Sequence, residues 1–376
     1  MCGVAAAFNY DSRRAVDEDR LRQLRDCMAE RGPDAHGLWV GDTQHVGLAH
    51  RRLSILDLSE RGAQPMQRDD GALVVSYNGE IYNYQRLREE LEAKGYEFAS
   101  DTDTEVLLHL YAEHGRSMVE HLRGMYAFAL WDGTRQGLFL ARDPYGIKPL
   151  YVADDGERVT VASQVSALRT VGGVDTGVEP AGHVGFFLWG HVPDPYTLYR
   201  GVRALPAGHT QWIDRTGPRE PEPFANVAAV LGRAERTNGA AATGPADAAS
   251  DRLRAALVDS VEHHLVADVD VGLFLSAGLD SATLLALTAE HIDRVRTVTL
   301  GFEEYRDTPE DEVPGAERLA ERYGADHETV WVSREDFAGA HDDLFAAMDQ
   351  PTIDGANTFF VSRAAAQSGL KVAISG

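Results

Sequence analysis

Cysteine is scarce in this sequence: Cys2 and Cys27 are the two present among 376 residues. A chain of this length buries a core without cross-links, and no Cys/His cluster stands at metal-ligand spacing. A disulfide scaffold and a zinc module are therefore excluded, and a reducing compartment, the cytoplasm, is expected. Positive charge is short as well. Lys and Arg number 36 against 59 Asp and Glu, a formal charge of −23. So acidic a surface repels phosphate backbones and anionic lipids, which argues against nucleic acid or a membrane as partner. No apolar run approaches the roughly 20 residues that cross a bilayer. The N-terminus has no basic stretch followed by an apolar one, so no signal peptide is expected.

What is present is ordinary for a globular protein: 44% hydrophobic and 25% charged residues. At roughly 100–200 residues per domain, the length suggests two domains. Residues 2–215 hold short apolar runs between turn residues, read as strands at Gly3–Phe8, Gly47–His50, Ala72–Tyr77, Tyr126–Trp131, Gly137–Ala141 and Arg158–Ala162. Helical spacing marks Asp17–Glu30, Tyr84–Lys94 and Thr104–His114. Grouped strands and grouped helices predict a layered α+β unit. Residues 216–248 are rich in Pro, Gly and Ala and read as a partly mobile connector. From 249 to 376, helices alternate with apolar strands at Val269–Leu275, Arg296–Phe302, His327–Val332 and Leu370–Ser375. That rhythm predicts an α/β unit with a doubly wound parallel sheet. The last residues, Lys-Val-Ala-Ile-Ser-Gly, run from a strand into a loop where such sheets bind ligands, so a fragment is expected.

Cys2 follows the initiator Met and enters the first strand. If Met1 is removed, Cys2 carries both a thiol and a free α-amine, and the amine can serve as base for its own thiol. Taken alone, Cys2 is equally a small apolar residue, and Cys27, at an apolar helical position, is read as structural. Met-Cys-Gly-Val (1–4), Arg-Gly-Pro-Asp (31–34), His-Arg-Arg-Leu-Ser-Ile-Leu-Asp (50–57) and Tyr-Asn-Gly-Glu-Ile-Tyr-Asn-Tyr (77–84) occur in that order. Asp-Thr-Glu (103–105), Gly-Met-Tyr-Ala-Phe-Ala-Leu-Trp-Asp (124–132) and Ala-Arg-Asp-Pro-Tyr-Gly-Ile-Lys-Pro-Leu-Tyr (141–151) follow.

This series resembles the class II glutamine amidotransferase domain of glutamine-hydrolysing asparagine synthetases. The resemblance implies an N-terminal-nucleophile four-layer αββα sandwich. It implies Cys2 as nucleophile, with Asn78 and Gly79 as donors to the oxyanion. It further implies a glutamine pocket in which Arg52 takes the α-carboxylate and Asp103 the α-ammonium, with Glu80 beside it. Leu53, Ser54, Ile55 and Leu56 line that pocket through their backbone. Arg31–Asp34 is read as support, and Asp143–Pro149 as a structural turn.

Strand, small-residue loop and helix recur at Ser276-Ala-Gly-Leu-Asp-Ser281. A helix start of this kind presents free N–H groups to an anion. No Gly-Lys-Ser/Thr follows and no Gly-x-Gly-x-x-Gly is present, so neither a Walker loop nor a dinucleotide fingerprint is read. An ordinary turn with Asp280 or Ser281 as helix cap remains open. The run resembles the pyrophosphate loop of enzymes that cleave ATP between its α and β phosphates, with Ala277 where the usual pattern has Gly. The resemblance implies an ATP-pyrophosphatase-type domain, incomplete here. Its ATP site would comprise Leu275, Ser276, Gly278, Asp280, Ser281, Leu300, Ser375 and Gly376, with Mg²⁺ as companion and no ligand set assigned to it. Asp311-Glu312 and Asp349–Asp354 are acidic clusters near this region; the latter helps shape the aspartate pocket, or either is solvated surface. The implied reaction is asparagine synthesis from glutamine, aspartate and ATP. A related amidotransferase acting on another carboxylate, or a glutamine/ATP-binding sensor without catalysis, are the alternatives. A homodimer is one assembly open to the chain.

Overall fold

The strand that follows Cys2, β1 (Gly3–Asn9), is buried along its whole length. It pairs antiparallel on both sides, with Gly3 opposite Arg51 and Ala5 opposite Ala162. Around it, the computed structural model describes residues 1–68, 71–238 and 246–376. Two units are separated after Asn238.

In the first unit the further strands are β2 (Ala35–Val40), β3 (Val46–Arg52), β4 (Met66–Arg68), β5 (Leu73–Ile81), β6 (Gly124–Asp132) and β7 (Gly137–Arg142). They continue with β8 (Tyr151–Asp154), β9 (Arg158–Ala162), β10 (Arg203–Ala204), β11 (His209–Asp214), β12 (Gly217–Pro218) and β13 (Glu222–Pro223). One sheet has the order β10-β8-β9-β1-β3-β2, the other β12-β11-β7-β6-β5-β4, with β13 also on β11. Alternation decides which face each residue serves. Val4, Ala6 and Phe8 of β1 and Val46 and Leu48 of β3 meet Val74, Ala127 and Ala129 of the other sheet. Ala5, Ala7 and Ala49 face the opposite way, under Leu21 and Leu24 of α1 (Glu18–Asp26). Val75, Tyr77 and Ile81 lie under α2 (Tyr84–Glu92) and α3 (Asp103–His114), against Leu87, Leu91, Val106 and Leu107. The result is a four-layer αββα sandwich. Each fully buried Leu or Phe in it contributes about 1.5–3 kcal/mol. Cys2 extends the Val4–Ala6–Phe8 series and Asn78 extends the Val74–Ser76 series, so both belong to the layer between the sheets.

Asp17 caps α1, accepting the N–H groups of Asp19 and Arg20, but the helix closes at Asp26 rather than Glu30. Cys27 sits at its C-cap and is exposed, not apolar filling. Two helices appear where none was expected, α4 (Val165–Thr170) and α5 (Pro180–Trp189). The expected connector 216–248 is also largely structured. β12 and β13 add to the second sheet through β11, and α6 (Val227–Asn238) follows. The first unit therefore continues well past 215. Part of that expectation, 239–245, lies outside the described residues.

The second unit begins with α7 (Ala246–His264). Its strands β14 (Val271–Phe274), β15 (Arg296–Phe302), β16 (Asp326–Val332) and β17 (Val372–Ile374) are parallel, in the order β16-β15-β14-β17. On one face Leu273 and Leu275 pack with Leu285 of α8 (Leu279–Thr288) and Ala316 and Ala320 of α9 (Val313–Tyr323). On the other, Val298 packs with Ala364 and Ala365, after the short α10 (Arg334–Gly339) and α11 (His341–Ala347), on α12 (Gly355–Gln367). Helices on both faces make this a doubly wound sheet. The strand order reverses beside β14, and ligands bind such sheets beyond the carboxyl ends of the strands at that reversal.

Candidate active site

Cys2 is half-buried at the mouth of the layer between the two sheets. Its backbone nitrogen donates to Asn78 Oδ1 at 3.0 Å. Its sulfur accepts the Leu53 N–H at 3.4 Å and lies 3.7 Å from the Leu53 carbonyl. Arg31 Nε fixes the Cys2 carbonyl at 2.9 Å. Burial pushes the Cys2 thiol above its ordinary value, against the Leu53 N–H and the nearby terminal amine, which favour the thiolate. That amine, on Met1 here, is lowered by burial to about 6. Asn78 is 1% exposed, and its Nδ2 has no hydrogen-bond partner. A buried amide donor left unmade costs about 1–3 kcal/mol, so a site that keeps one is built for an acceptor that arrives later.

Gly79 follows Asn78 on β5 and faces Tyr126 of β6. A side chain there would meet the Met125 carbonyl oxygen at 2.2 Å, so the position admits only glycine. Glu80 and Asp103 come close to each other, and burial together with Asp103 raises the Glu80 carboxyl well above its usual range. Asp103 is 4% exposed; its Oδ2 accepts Tyr77 O–H at 2.7 Å and Ile81 N–H at 2.9 Å. Burial still raises its pKa despite those donors. Asp34 Oδ2 accepts the Ser54 N–H at 2.8 Å, which fixes the segment 53–56 beside the sulfur. Ser54 and Leu56 are buried, Leu53 and Ile55 half-buried.

Arg52 is buried, and its guanidinium donates to the carbonyls of Ser59 at 2.9 Å, Leu56 at 3.2 Å and Asp57. Both terminal nitrogens of the guanidinium, Nη1 and Nη2, thus build the loop.

A second cleft lies in the second unit, with a volume of about 510 Å³. Leu275, Ser276, Gly278, Asp280, Ser281, Leu300, Ser375 and Gly376 all line it. Helix α8 starts at Gly278 without a side-chain cap. Ser281 does not cap it. Its hydroxyl instead takes the Ser276 N–H at 3.2 Å and meets the Ser276 hydroxyl at 2.9 Å. The start of α8 is left to serve an anion. Ala277 is not among the residues with positive φ, so the loop carries an alanine there without backbone strain. Asp311 and Glu312 line the same cleft, whereas none of 349–354 does.

Residues 1–224 match the family described as glutamine amidotransferase domain, and 252–376 match asparagine synthase. The chain belongs to the glutamine amidotransferase domain family. Its amidotransferase segment carries the asparagine synthase segment behind it. An asparagine synthetase (glutamine-hydrolysing) of Bacillus subtilis is 34% identical over the whole chain and 57% of its own length. A putative one of Mycobacterium tuberculosis is 38% identical over the whole chain and 59% of its length. Amidase chry2 of Gibberella zeae is 30% identical over the whole chain and 58% of its length. The chain therefore spans under two thirds of the length of these relatives.

In the amidotransferase unit, sequence reasoning missed Lys148. The turn 143–149 reads as structural in the sequence, and its backbone is: Asp143 accepts the N–H groups of Tyr145, Ile147 and Lys148 at 2.9, 3.1 and 3.0 Å. The Lys148 side chain, however, is only 7% exposed and lies in the field of Cys2 and Glu80. A lysine flanked by Ile147 and Pro149 was the available signal. No helix among the described residues of this family member is long and apolar enough to cross a membrane.

Proposed function

We propose that this chain takes ammonia from glutamine at Cys2, and that its second unit binds ATP for the amidation of aspartate to asparagine. The observation that carries the first half is Asn78, which holds the Cys2 nitrogen with one end of its amide and keeps the other end buried without a partner. Removal of Met1 turns the Cys2 nitrogen into an amine already held at its post. The amine takes the thiol proton, and the sulfur adds to the side-chain amide carbon of glutamine. The carbonyl electron pair moves to oxygen, which Asn78 Nδ2 and the Gly79 N–H receive. Collapse breaks the carbon–nitrogen bond, and ammonia leaves with the proton the amine returns. Water then hydrolyses the glutamyl thioester to glutamate and restores the thiol. Arg52 attracts the α-carboxylate through its guanidinium charge, and Asp103 with Glu80 takes the α-ammonium. A cation entering between two carboxyls whose pKa values burial raises favours their charged forms.

The cleft of the second unit supports the ATP reading, because it joins an uncapped helix start to an apolar wall of Leu275 and Leu300. Aspartate attacks the α-phosphorus of ATP there, pyrophosphate leaves, and ammonia displaces AMP from the activated acid. No group of three or more His, Cys, Asp or Glu is disposed to hold a metal among the described residues. Mg²⁺ is commonly carried by phosphates with one or two carboxylates, for which Asp280 and Asp311 stand in the cleft. Both cysteines are free, in keeping with a cytoplasmic setting.

A second reading keeps this chemistry and changes the acid. It is favoured by the absence of 349–354 from the cleft lining, which leaves no acidic cluster of that segment to shape an aspartate pocket. Glutamate release from glutamine by the purified chain tests the amidotransferase half. Loss of release in Cys2→Ala is expected, and undiminished release would refute the assignment.

A further inference from the structure

A cleft that shares no residue with the glutamine pocket opens in the first unit, with a volume of about 560 Å³. Sites for small molecules run to roughly 300–1,000 Å³. One wall is a face of α3, where Glu105, His109 and Glu113 follow at steps of four and so lie above one another. Arg68 of β4 lines it too, with Lys94, Tyr96 and Glu97 from the segment after α2. His109 is the unusual member. It is 6% exposed, and neither ring nitrogen has a hydrogen-bond partner. The rings of Tyr96 and Phe98 pack against it, with centroids at 5.3 and 4.5 Å. Glu105 Oε1 stands 3.5 Å from Nε2, longer than the roughly 2.7–3.2 Å of an N–H···O bond. That carboxylate is already engaged, by the Ala99 N–H at 2.9 Å and by the N–H and hydroxyl of Ser100 at 2.8 and 2.5 Å. Buried polar atoms are rarely left unpaired, so an imidazole kept bare at both nitrogens in the wall of a cleft points to a polar ligand.

We propose that this cleft is a second binding site of the first unit, for a free amino acid with a carboxamide side chain, and that His109 reads the amide. A neutral imidazole offers one N–H donor and one bare nitrogen as acceptor. Its counterpart must accept and donate at once. A primary carboxamide does so with its oxygen and its NH₂, whereas a carboxylate only accepts and an ammonium only donates. The rest of the cleft carries both signs of charge. The Arg68 guanidinium lies over the Tyr96 ring, 5.2 Å from its centroid, and Tyr96 is the ring that packs on His109. Glu113 accepts Lys94 Nζ at 2.8 Å and the Tyr96 O–H at 3.0 Å, and Glu97 adds a further carboxylate. Cations and carboxylates around one opening suit the carboxylate and ammonium of an amino acid. A metal ion does not suit it, because no group of three or more His, Cys, Asp or Glu is disposed to hold one among the described residues. Asparagine and glutamine are the two sources of this chemistry.

The test is titration calorimetry on the full chain. L-Asparagine is titrated into the unmodified protein, and L-glutamine into Cys2→Ala so that it is not consumed. L-Aspartate and L-glutamate serve as the matching acids. Each titration is repeated with His109→Phe added, which keeps an aromatic ring and removes both ring nitrogens. At least one amide is expected to bind, and His109→Phe to weaken it by about tenfold or more, as when a site built for a hydrogen bond loses it. Binding of the acids elsewhere on the chain is expected to be indifferent to His109→Phe. A response with asparagine alone, with glutamine alone or with both supports the proposal and names the source. Amide binding that ignores His109→Phe overturns it, as does no amide binding at all, the result if ordered water alone fills the cleft. Acids that respond to His109→Phe as strongly as the amides overturn it too. Should His109→Phe fail to fold, Arg68→Gln decides: weakened amide binding supports the proposal, and unchanged binding refutes it. Glutamate release enters none of these readings, so this inference and the glutaminase reading stand or fall separately.

Discussion

Asn78 accepts the Cys2 nitrogen through its Oδ1 at 3.0 Å, and the same amide holds an unpartnered Nδ2 in the buried layer between the sheets. In the proposed mechanism, one side chain therefore orients the base and receives the oxyanion. Because the amide is planar, fixing one end aims the other. Asn78→Ala removes both roles, and glutamine hydrolysis is expected to fall by about 10²–10³ in kcat. Steady-state kinetics of glutamate release check this, and a loss confined to KM would argue that Asn78 only binds substrate.

Asp103 and Tyr77 share a hydrogen bond of 2.7 Å at the start of α3. Asn at 103 can keep the bonds from Tyr77 and Ile81 while losing the charge. Asp103→Asn is expected to raise the KM for glutamine by about tenfold or more, which is ~1.4 kcal/mol of binding. Thermal unfolding should change little. An unchanged KM would remove Asp103 from the α-ammonium site.

In the second unit, Ala277 and Gly315 are complementary. A Cβ placed on Gly315 would come to 2.7 Å from the Ala277 Cβ. Gly315→Ala must push the loop of Ser276–Ser281 or α9, an overpacking typically worth about 1–3 kcal/mol. ATP affinity, read by nucleotide titration, is expected to weaken, and Ala277→Gly added to it to restore binding. A double variant no better than Gly315→Ala would show that the two positions do not communicate.

Much of this was legible in the sequence because backbone chemistry is local. The run Arg296–Phe302, rich in β-branched residues, is a strand over the whole expected span. The eight residues expected at ATP lie on one cleft because strand ends and a helix start meet there by topology. Cys2, Leu53 and Asn78 meet because β1, β3 and β5 bring distant segments into one layer. What stayed hidden depends on side-chain direction. Arg52 reads as a ligand-binding arginine, yet most of its donors build its own loop. Lys148 reads as part of a turn whose backbone is bonded to Arg142 and Asp143, and its side chain is buried there. Segment 180–189 ends in Phe-Phe-Leu-Trp, an apolar run that periodicity cannot assign. It forms a helix with Phe187, Leu188 and Trp189 exposed.

The central claim is that one residue provides both the attacking sulfur and the base, and the most direct test joins two readings on one sample. Intact-mass measurement of the purified protein gives the fraction of chains beginning at Cys2, and glutamate release is measured alongside. The account predicts release in proportion to that fraction, and none from chains that keep Met1. Full-rate hydrolysis by protein that retains Met1 would contradict it.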